Sequence, residues 1–217
     1  PSQSKLHMRY ANFCEKQGFY QQAIAFYRQA RRAEPNLVTA HFRMAKLQRS
    51  LDKTKEALAT LEEGLKENPR ALQLHQLRCD LLTQSNQLPA IRKAVEHAAA
   101  TFPSNSSVLA KLAEVRDVFG DRAAEGYELL AKALERDKAT LDQLEPVLER
   151  GLVVALRDGD RIRAARLASR LIQLGRSDIP AIEQIPKNIV QTGMAVVPGG
   201  VRGLAQAAIM QGDTHAD

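Results

Sequence analysis

The chain has 217 residues, of which 44% are hydrophobic and 5% aromatic. A chain of this size can bury a sizeable apolar core, and no apolar run approaches the roughly 20 residues of a membrane-spanning helix, so no membrane span is predicted. Cys14 and Cys79 are the two cysteines. Both fall at positions expected inside helices, so they are predicted to be small buried hydrophobic residues, and a reducing, cytoplasmic location is the simpler expectation.

The net charge of +6 is concentrated at the N-terminal end. Residues 1–50 hold nine Lys and Arg residues against two Glu, a net charge of +7. The rest of the chain holds 22 basic and 23 acidic residues and is nearly neutral. Because a localised excess of one sign attracts partners of the other, the first fifty residues are predicted to face an anionic partner.

Residues 4–103 repeat at a fixed step of 34 residues. Each unit has a small residue at its eighth and twenty-seventh positions, a bulky one at its twenty-fourth and a proline near its end. Small residues let two helices approach within about 8–10 Å, and proline stops a helix. The small residues are Ala11, Ala45 and Cys79 at the eighth position and Ala30, Gly64 and Ala98 at the twenty-seventh. The bulky residues are Tyr27, Leu61 and Val95, and the prolines are Pro35, Pro69 and Pro103.

This pattern resembles the tetratricopeptide repeat (TPR) family over about residues 4–175. The resemblance implies an all-α solenoid of helical hairpins wound into a right-handed superhelix, whose first helices line a concave groove. Residues 1–175 are therefore interpreted as a TPR solenoid with three regular and two divergent repeats. Residues 176–217, interrupted by Pro and Gly, are interpreted as a capping segment or as the start of a truncated second domain.

Five helical hairpins are predicted in chain order. Asp52 and Thr54 are expected to cap the fourth helix, and Pro89 is tolerated in the first turn of the sixth. Pro146 is expected to offset the start of the ninth. The fourth hairpin needs one inserted residue to bring Leu130 and Ala133 to the bulky and small positions. The predicted helix pairs are 5–16 with 20–33, 39–50 with 54–67, 73–84 with 89–100, 106–118 with 122–136, and 141–157 with 161–174.

The composition changes after Gly175. Prolines and glycines between 177 and 200 exclude one uninterrupted helix. Residues 189–197 are apolar and β-branched enough to predict a strand, and residues 201–210 predict a short helix. This segment is expected to cover the apolar end of the solenoid, as solubility requires.

Residues 185–192, Ile-Pro-Lys-Asn-Ile-Val-Gln-Thr, resemble the opening strand of bacterial glycosyltransferase domains. Val190 and Gly193 depart from that pattern, where histidine and an aromatic residue are usual, so no sugar-nucleotide contact is carried over. The resemblance implies an alternative function, in which the chain is the N-terminal recognition or spacing region of a glycosyltransferase for polysaccharide or protein glycosylation.

No set of residues predicts catalysis, a cofactor or a metal, so this chain is not expected to be an enzyme. His7, His41 and His75 lie 34 residues apart, but equivalent positions of stacked repeats are about 10 Å apart. Zinc needs nitrogens at about 2.0–2.1 Å, so the histidines are predicted to be structural. Residues 158–160, Asp-Gly-Asp, match the Asp-x-Asp motif of metal-dependent glycosyltransferases in residue type alone. They are predicted to form an interhelix turn.

The TPR resemblance places the second, fifth, sixth, ninth, twelfth and thirteenth positions of each first helix in the groove. Their cations predict an extended acidic protein segment as ligand, and an anionic polysaccharide is an open alternative. Nucleic acid is disfavoured, because Phe42 is the one groove aromatic on which a base could stack. Only Asn12 fits the clamp that some TPR proteins use for chaperone C-termini. The predicted groove residues are Lys5, Met8, Arg9, Asn12, Phe42, Arg43, Lys46, Arg49, Gln73, Gln76 and Leu77.

Overall fold

The computed structural model describes residues 2–176 and 178–185, and this part of the chain is helical without a strand. It divides into two compact units, unit 1 up to Phe102 and unit 2 from Pro103. The predicted boundaries of the first ten helices are correct to within two residues. The helices are α1 (Gln3–Lys16), α2 (Tyr20–Ala33), α3 (Val38–Ser50), α4 (Thr54–Glu67), α5 (Leu72–Gln84), α6 (Leu88–Thr101), α7 (Ser106–Phe119), α8 (Ala123–Arg136), α9 (Leu141–Arg157), α10 (Arg161–Gln173) and α11 (Pro180–Glu183).

Each hairpin of unit 1 closes through a three-residue turn whose middle residue has a positive φ. These residues are Gly18, Asp52 and Asn86, with φ of 79°, 58° and 52°. Glycine, aspartate and asparagine are the residues that reach this left-handed region most readily. The predicted capping of α4 is therefore wrong. Asp52 supplies the turn, Lys53 precedes the helix, and no side chain caps it.

The core of unit 1 is built from the small and bulky positions of the repeat, as predicted. Tyr27, Leu61 and Val95, at the bulky position, are at most 1% exposed. Gly64 shows why one small position must be a glycine. A Cβ atom there would lie 2.8 Å from Cγ of His41 and 2.9 Å from Cδ1 of Leu74, which is closer than carbon atoms pack.

The inserted residue predicted for unit 2 lies at the end of α7. This helix ends at Phe119, one residue beyond the position that matches the ends of α3 and α5. The turn that follows has two left-handed residues, Gly120 at 64° and Arg122 at 48°. Leu130 and Ala133 are buried at 6% and 4% exposure. The bulky and small positions are therefore restored beyond the insertion.

The start of α9 does not depend on Pro146, contrary to the prediction. The helix begins at Leu141, where the backbone N–H of Thr140 donates to Oε1 of Gln143 at 3.2 Å. Pro146 lies inside the helix at an exposed position. A side chain of the first turn therefore fixes the start of the helix.

Residues 178–185 pack on unit 2 after the last long helix. Ile179, Ala181 and Ile185 are 3%, 8% and 5% exposed and join the apolar core formed by α9 and α10. The capping role of residues 176–217 stays a prediction, and within that segment the structure describes residues 176 and 178–185. The predicted strand at 189–197 and helix at 201–210 lie outside the described residues. Within the described part of the chain, no helix is long and apolar enough to cross a membrane.

Candidate functional site

The predicted groove residues lie on the first helices of unit 1, α1, α3 and α5. At the second and sixth positions of the repeat, α1 and α3 carry exposed side chains. Together these helices present a face with many cations and two apolar side chains. Lys5, Arg9, Arg43, Lys46 and Gln73 are exposed, and Met8, Asn12, Phe42, Arg49 and Gln76 are half-buried.

Leu77 is not available to a ligand, although the repeat position predicts it in the groove. It is 6% exposed and belongs to the same apolar cluster as Leu61 and Leu74. The equivalent positions in α1 and α3 carry Arg9 and Arg43, which reach solvent. The leucine at this position instead packs into the apolar cluster shared by α3, α4 and α5, because burying its apolar surface is favourable.

A hydrogen-bonded network joins α1, α2 and α3 beneath this face. The hydroxyl of Tyr27 donates to Oε2 of Glu15 at 2.5 Å, and its oxygen also lies 2.7 Å from Oδ1 of Asn12. Nη1 of Arg43 lies 3.6 Å from Oε1 of Glu15. Burial, and then the Glu15 carboxylate, raise the pKa of Tyr27 far above its usual value. Asn12 and Arg43 are therefore partly committed to holding the three helices together.

Four of the predicted groove cations make no ion pair with any described residue. They are Lys5 and Arg9 on α1, and Lys46 and Arg49 on α3. Arg43 differs from them because Glu15 is its partner. Four unpaired cations on two neighbouring helices produce a positive potential that a mobile anionic chain can neutralise.

His41 and His75 have structural roles, as predicted from the repeat geometry. His41 is 1% exposed, with Nε2 at 2.9 Å from the carbonyl oxygen of Pro35 and Nδ1 at 3.2 Å from that of Thr60. His75 is fully buried, and its Nε2 donates to the carbonyl oxygen of Pro69 at 2.8 Å. Each ring therefore ties a first helix to the proline that ends the preceding repeat.

The folded state should become less stable as the pH is lowered, because of His75. Burial lowers the pKa of His75 below its usual value, so between that lowered pKa and about 6.5 the unfolded chain binds more protons than the folded one. Stability is therefore lost as pH falls below about 6.5, by at most about 1.4 kcal/mol per pH unit. Urea titrations from neutral to mildly acidic pH should show this slope.

The variant His75→Gln keeps a donor for the Pro69 carbonyl but does not titrate, so its pH slope should be smaller. The matched control is His97→Gln, which alters an exposed ring centred 5.3 Å from that of His75. An unchanged slope in His75→Gln would show that another group causes the pH dependence.

The Asp-Gly-Asp sequence at 158–160 forms the turn between α9 and α10, as predicted. Gly159 has a φ of 72°. Oδ1 of Asp160 accepts a hydrogen bond from the backbone N–H of Arg163 at 3.0 Å, so this side chain caps α10. Asp158 accepts one from Nε of Arg157 at 2.8 Å. Both carboxylates have local structural partners.

Comparison with known proteins supports the repeat assignment. The tetratricopeptide repeat family matches residues 15–81. No curated protein matches the chain in sequence. Solved structures share its fold. MamA from Desulfovibrio magneticus RS-1, from residue 41 to its end, is 20% identical with a TM-score of 0.52, and the match covers 82% of this chain and 98% of that one.

Two further structures give the same result. YrrB, a TPR protein with an unusual peptide-binding site, is 16% identical with a TM-score of 0.52 over 82% of this chain and 89% of that one. A tetratricopeptide repeat protein from Parabacteroides merdae is 15% identical with a TM-score of 0.56 over 96% of this chain and 73% of that one. The sequence therefore matches the tetratricopeptide repeat family over residues 15–81, and the described part of the chain shares the fold of these structures.

Proposed function

We propose that the chain is a protein-interaction scaffold that binds an extended acidic segment of a partner protein on the face formed by α1, α3 and α5. TPR folds typically serve binding and not catalysis, and YrrB, which shares the fold, has a peptide-binding site. The observation that carries the acidic specificity is the set of four groove cations without an ion pair among the described residues.

Charge and preorganisation both favour such a ligand. The groove helices are held by packing and by the Tyr27 network, so little protein entropy is lost on binding and the ligand alone is ordered. Met8 and Phe42 are the half-buried apolar side chains on this face. With Leu77 buried, they are the two proposed apolar anchors. An anionic polysaccharide would meet the same cations, but it would not use these anchors.

The experiment compares a labelled peptide of alternating Glu and Ala with a Gln-Ala peptide of the same length. We expect the acidic peptide to bind more tightly, with an affinity that falls as salt is raised, because salt screens charges over about 10 Å at 0.1 M and about 3 Å at 1 M. The double variant Lys46→Glu with Arg49→Glu should weaken binding at least tenfold, mainly through the association rate.

The matched control is Arg28→Glu with Arg32→Glu, which makes the same change of net charge on α2, outside the proposed groove. Equal losses in the two double variants would show a general charge effect without a groove site. Equal affinity for the two peptides would contradict the acidic specificity. Binding of a sulfated polysaccharide but not of the acidic peptide would favour the polysaccharide alternative.

The cytoplasmic location and the glycosyltransferase alternative are also proposals. A cytoplasmic location is supported by Cys14 and Cys79, which are both free and buried, as expected in a reducing compartment. The glycosyltransferase alternative rests on residues 185–192, of which Ile185 alone lies within the described residues. Nothing in the described part of the chain favours that alternative over a scaffold.

A further inference from the structure

A stripe of large apolar side chains is exposed along α1. Leu6, Tyr10 and Phe13 are 40%, 50% and 59% exposed. Their spacing of four and then three residues places them on one face of the helix. We call these three residues the edge stripe. They occupy the third, seventh and tenth positions of the repeat and are not among the predicted groove positions.

The equivalent positions of the next first helix are covered. In α3 they carry Ala40, Met44 and Leu47, which are 1%, 3% and 5% exposed. Met44 and Leu47 share an apolar cluster with Ile24 and Tyr27 of α2. This face of a first helix is therefore the one on which the second helix of the preceding repeat packs.

The next repeat shows the same arrangement at the third and tenth positions, while its seventh position carries the half-buried Arg78. Leu74 and Leu81 of α5 are at most 1% exposed and share a cluster with Leu61 and Leu65 of α4. A helix with an apolar stripe thus covers these positions twice within unit 1.

The ring of Tyr10 lies 5.5 Å from that of Phe26 of α2 but stays half exposed. Among the described residues, nothing covers the edge stripe as fully as α2 and α4 cover α3 and α5, and its side chains are the largest apolar set exposed on one helix.

The charges beside the edge stripe indicate which kind of helix fits it. Arg9 follows Leu6 by three residues and Lys16 follows Phe13 by three, so these cations flank the stripe. Neither makes an ion pair with a described residue. Two copies of the chain, joined through their edge stripes, would bring these cations together. An incoming helix with carboxylates beside its apolar face would pair with them.

We propose that the edge stripe is a docking site for an amphipathic helix of a partner protein, with carboxylates flanking its apolar face. The helix would lie on α1 as α2 lies on α3 and α4 lies on α5. The apolar side chains of this site lie at other positions of α1 than the proposed groove, and Arg9 and Lys16 lie at the boundary between the two surfaces. The site takes a helix rather than an extended segment.

The probe is a labelled peptide with the sequence of α4, residues 54–67, held helical by one hydrocarbon staple on its exposed face. This sequence already covers the equivalent face of α5 and carries Glu56, Glu62, Glu63 and Glu67. The double variant Leu6→Glu with Phe13→Glu should weaken binding to the full chain at least tenfold, measured by fluorescence anisotropy. Replacing the four glutamates of the probe by glutamine should weaken it at least threefold.

The control Val118→Glu changes a side chain that is 71% exposed on unit 2, and it should leave binding unchanged. The groove variant Lys46→Glu with Arg49→Glu should also bind the probe normally, which separates this site from the proposed function. Circular dichroism should show all variants folded, because the substituted positions face solvent.

Three results would overturn the proposal. Binding that survives Leu6→Glu with Phe13→Glu would place the helix elsewhere. Sedimentation of the chain as a dimer that this variant dissociates would assign the edge stripe to a second copy. Binding of an oligothymidine through Tyr10 and Phe13, with none of the helical peptide, would assign it to base stacking.

Discussion

Replacing Leu61 by alanine should lower the free energy of unfolding of unit 1 by about 2–5 kcal/mol. The side chain is fully buried and packs in one cluster with Ala57, Leu65 and Leu74. Removing it leaves a cavity between α4 and α5, because helices held by several repeats cannot collapse freely onto the space. Urea titration followed by far-UV circular dichroism measures the loss.

The matched control is Leu58→Ala on the same helix. Leu58 is half-buried and packs at the margin of the same cluster, so its replacement should cost markedly less. Similar losses from the two substitutions would mean that helix propensity, and not the twenty-fourth position of the repeat, sets the stability of α4.

The helices and most of the core could be predicted because small and bulky residues recur at the same positions of each repeat. Ala11 and Ala45 occur where two helices approach, and Tyr27 and Leu61 occur where space must be filled. A single small or bulky residue would not identify a packing position, but its recurrence every 34 residues does. Even the insertion in the fourth hairpin could be predicted, because Leu130 and Ala133 resume the pattern one residue late.

Local hydrogen bonds and solvent exposure were harder to predict from repeat position alone. Leu77 occupies a groove position but is buried, because a leucine gains more from packing than from facing solvent. The role of Asp52 depends on the φ of the turn, which the sequence did not distinguish from a helix cap. The exposure of Phe13 depends on what lies beside α1, and its equivalent Leu47 is buried.

The partnership of Tyr27, Glu15 and Arg43 was also missed, because its members lie on three helices. The residue types alone gave no reason to bring them together. A similar arrangement recurs in unit 2. Asp117 occupies the twelfth position of its repeat, as Glu15 does, and accepts hydrogen bonds from a tyrosine of the following helix and from an arginine of the next first helix.

Asp117 is the centre of that second network. Its Oδ2 accepts hydrogen bonds from Nη2 of Arg150 at 2.7 Å and from the hydroxyl of Tyr127 at 3.2 Å. Its Oδ1 accepts one from Nη1 of Arg157 at 3.0 Å. Burial alone would raise the pKa of Asp117, but the hydrogen bonds from the two arginines outweigh it and hold the pKa below its usual value.

Asp117→Ala should therefore lower the free energy of unfolding of unit 2 by about 1–3 kcal/mol, because it leaves Tyr127 and two arginines without their acceptor. The ionic part of this loss is small, since the side chains of Arg150 and Arg157 are 55% and 47% exposed. The contribution of Asp117 is present above its unfolded pKa of about 3.9 and is lost as pH falls through the lower folded pKa.

The stability difference between the variant and the wild type should therefore shrink as the pH falls below about 4. Glu149→Ala is the matched control, because it removes a carboxylate next to Arg150 that is exposed and makes no ion pair with a described residue. Asp117→Asn keeps the shape of the side chain, so it should lose the pH dependence while retaining part of the stability. If Asp117→Ala and Glu149→Ala lose stability equally at neutral pH, the network does not stabilise the contact between α7, α8 and α9.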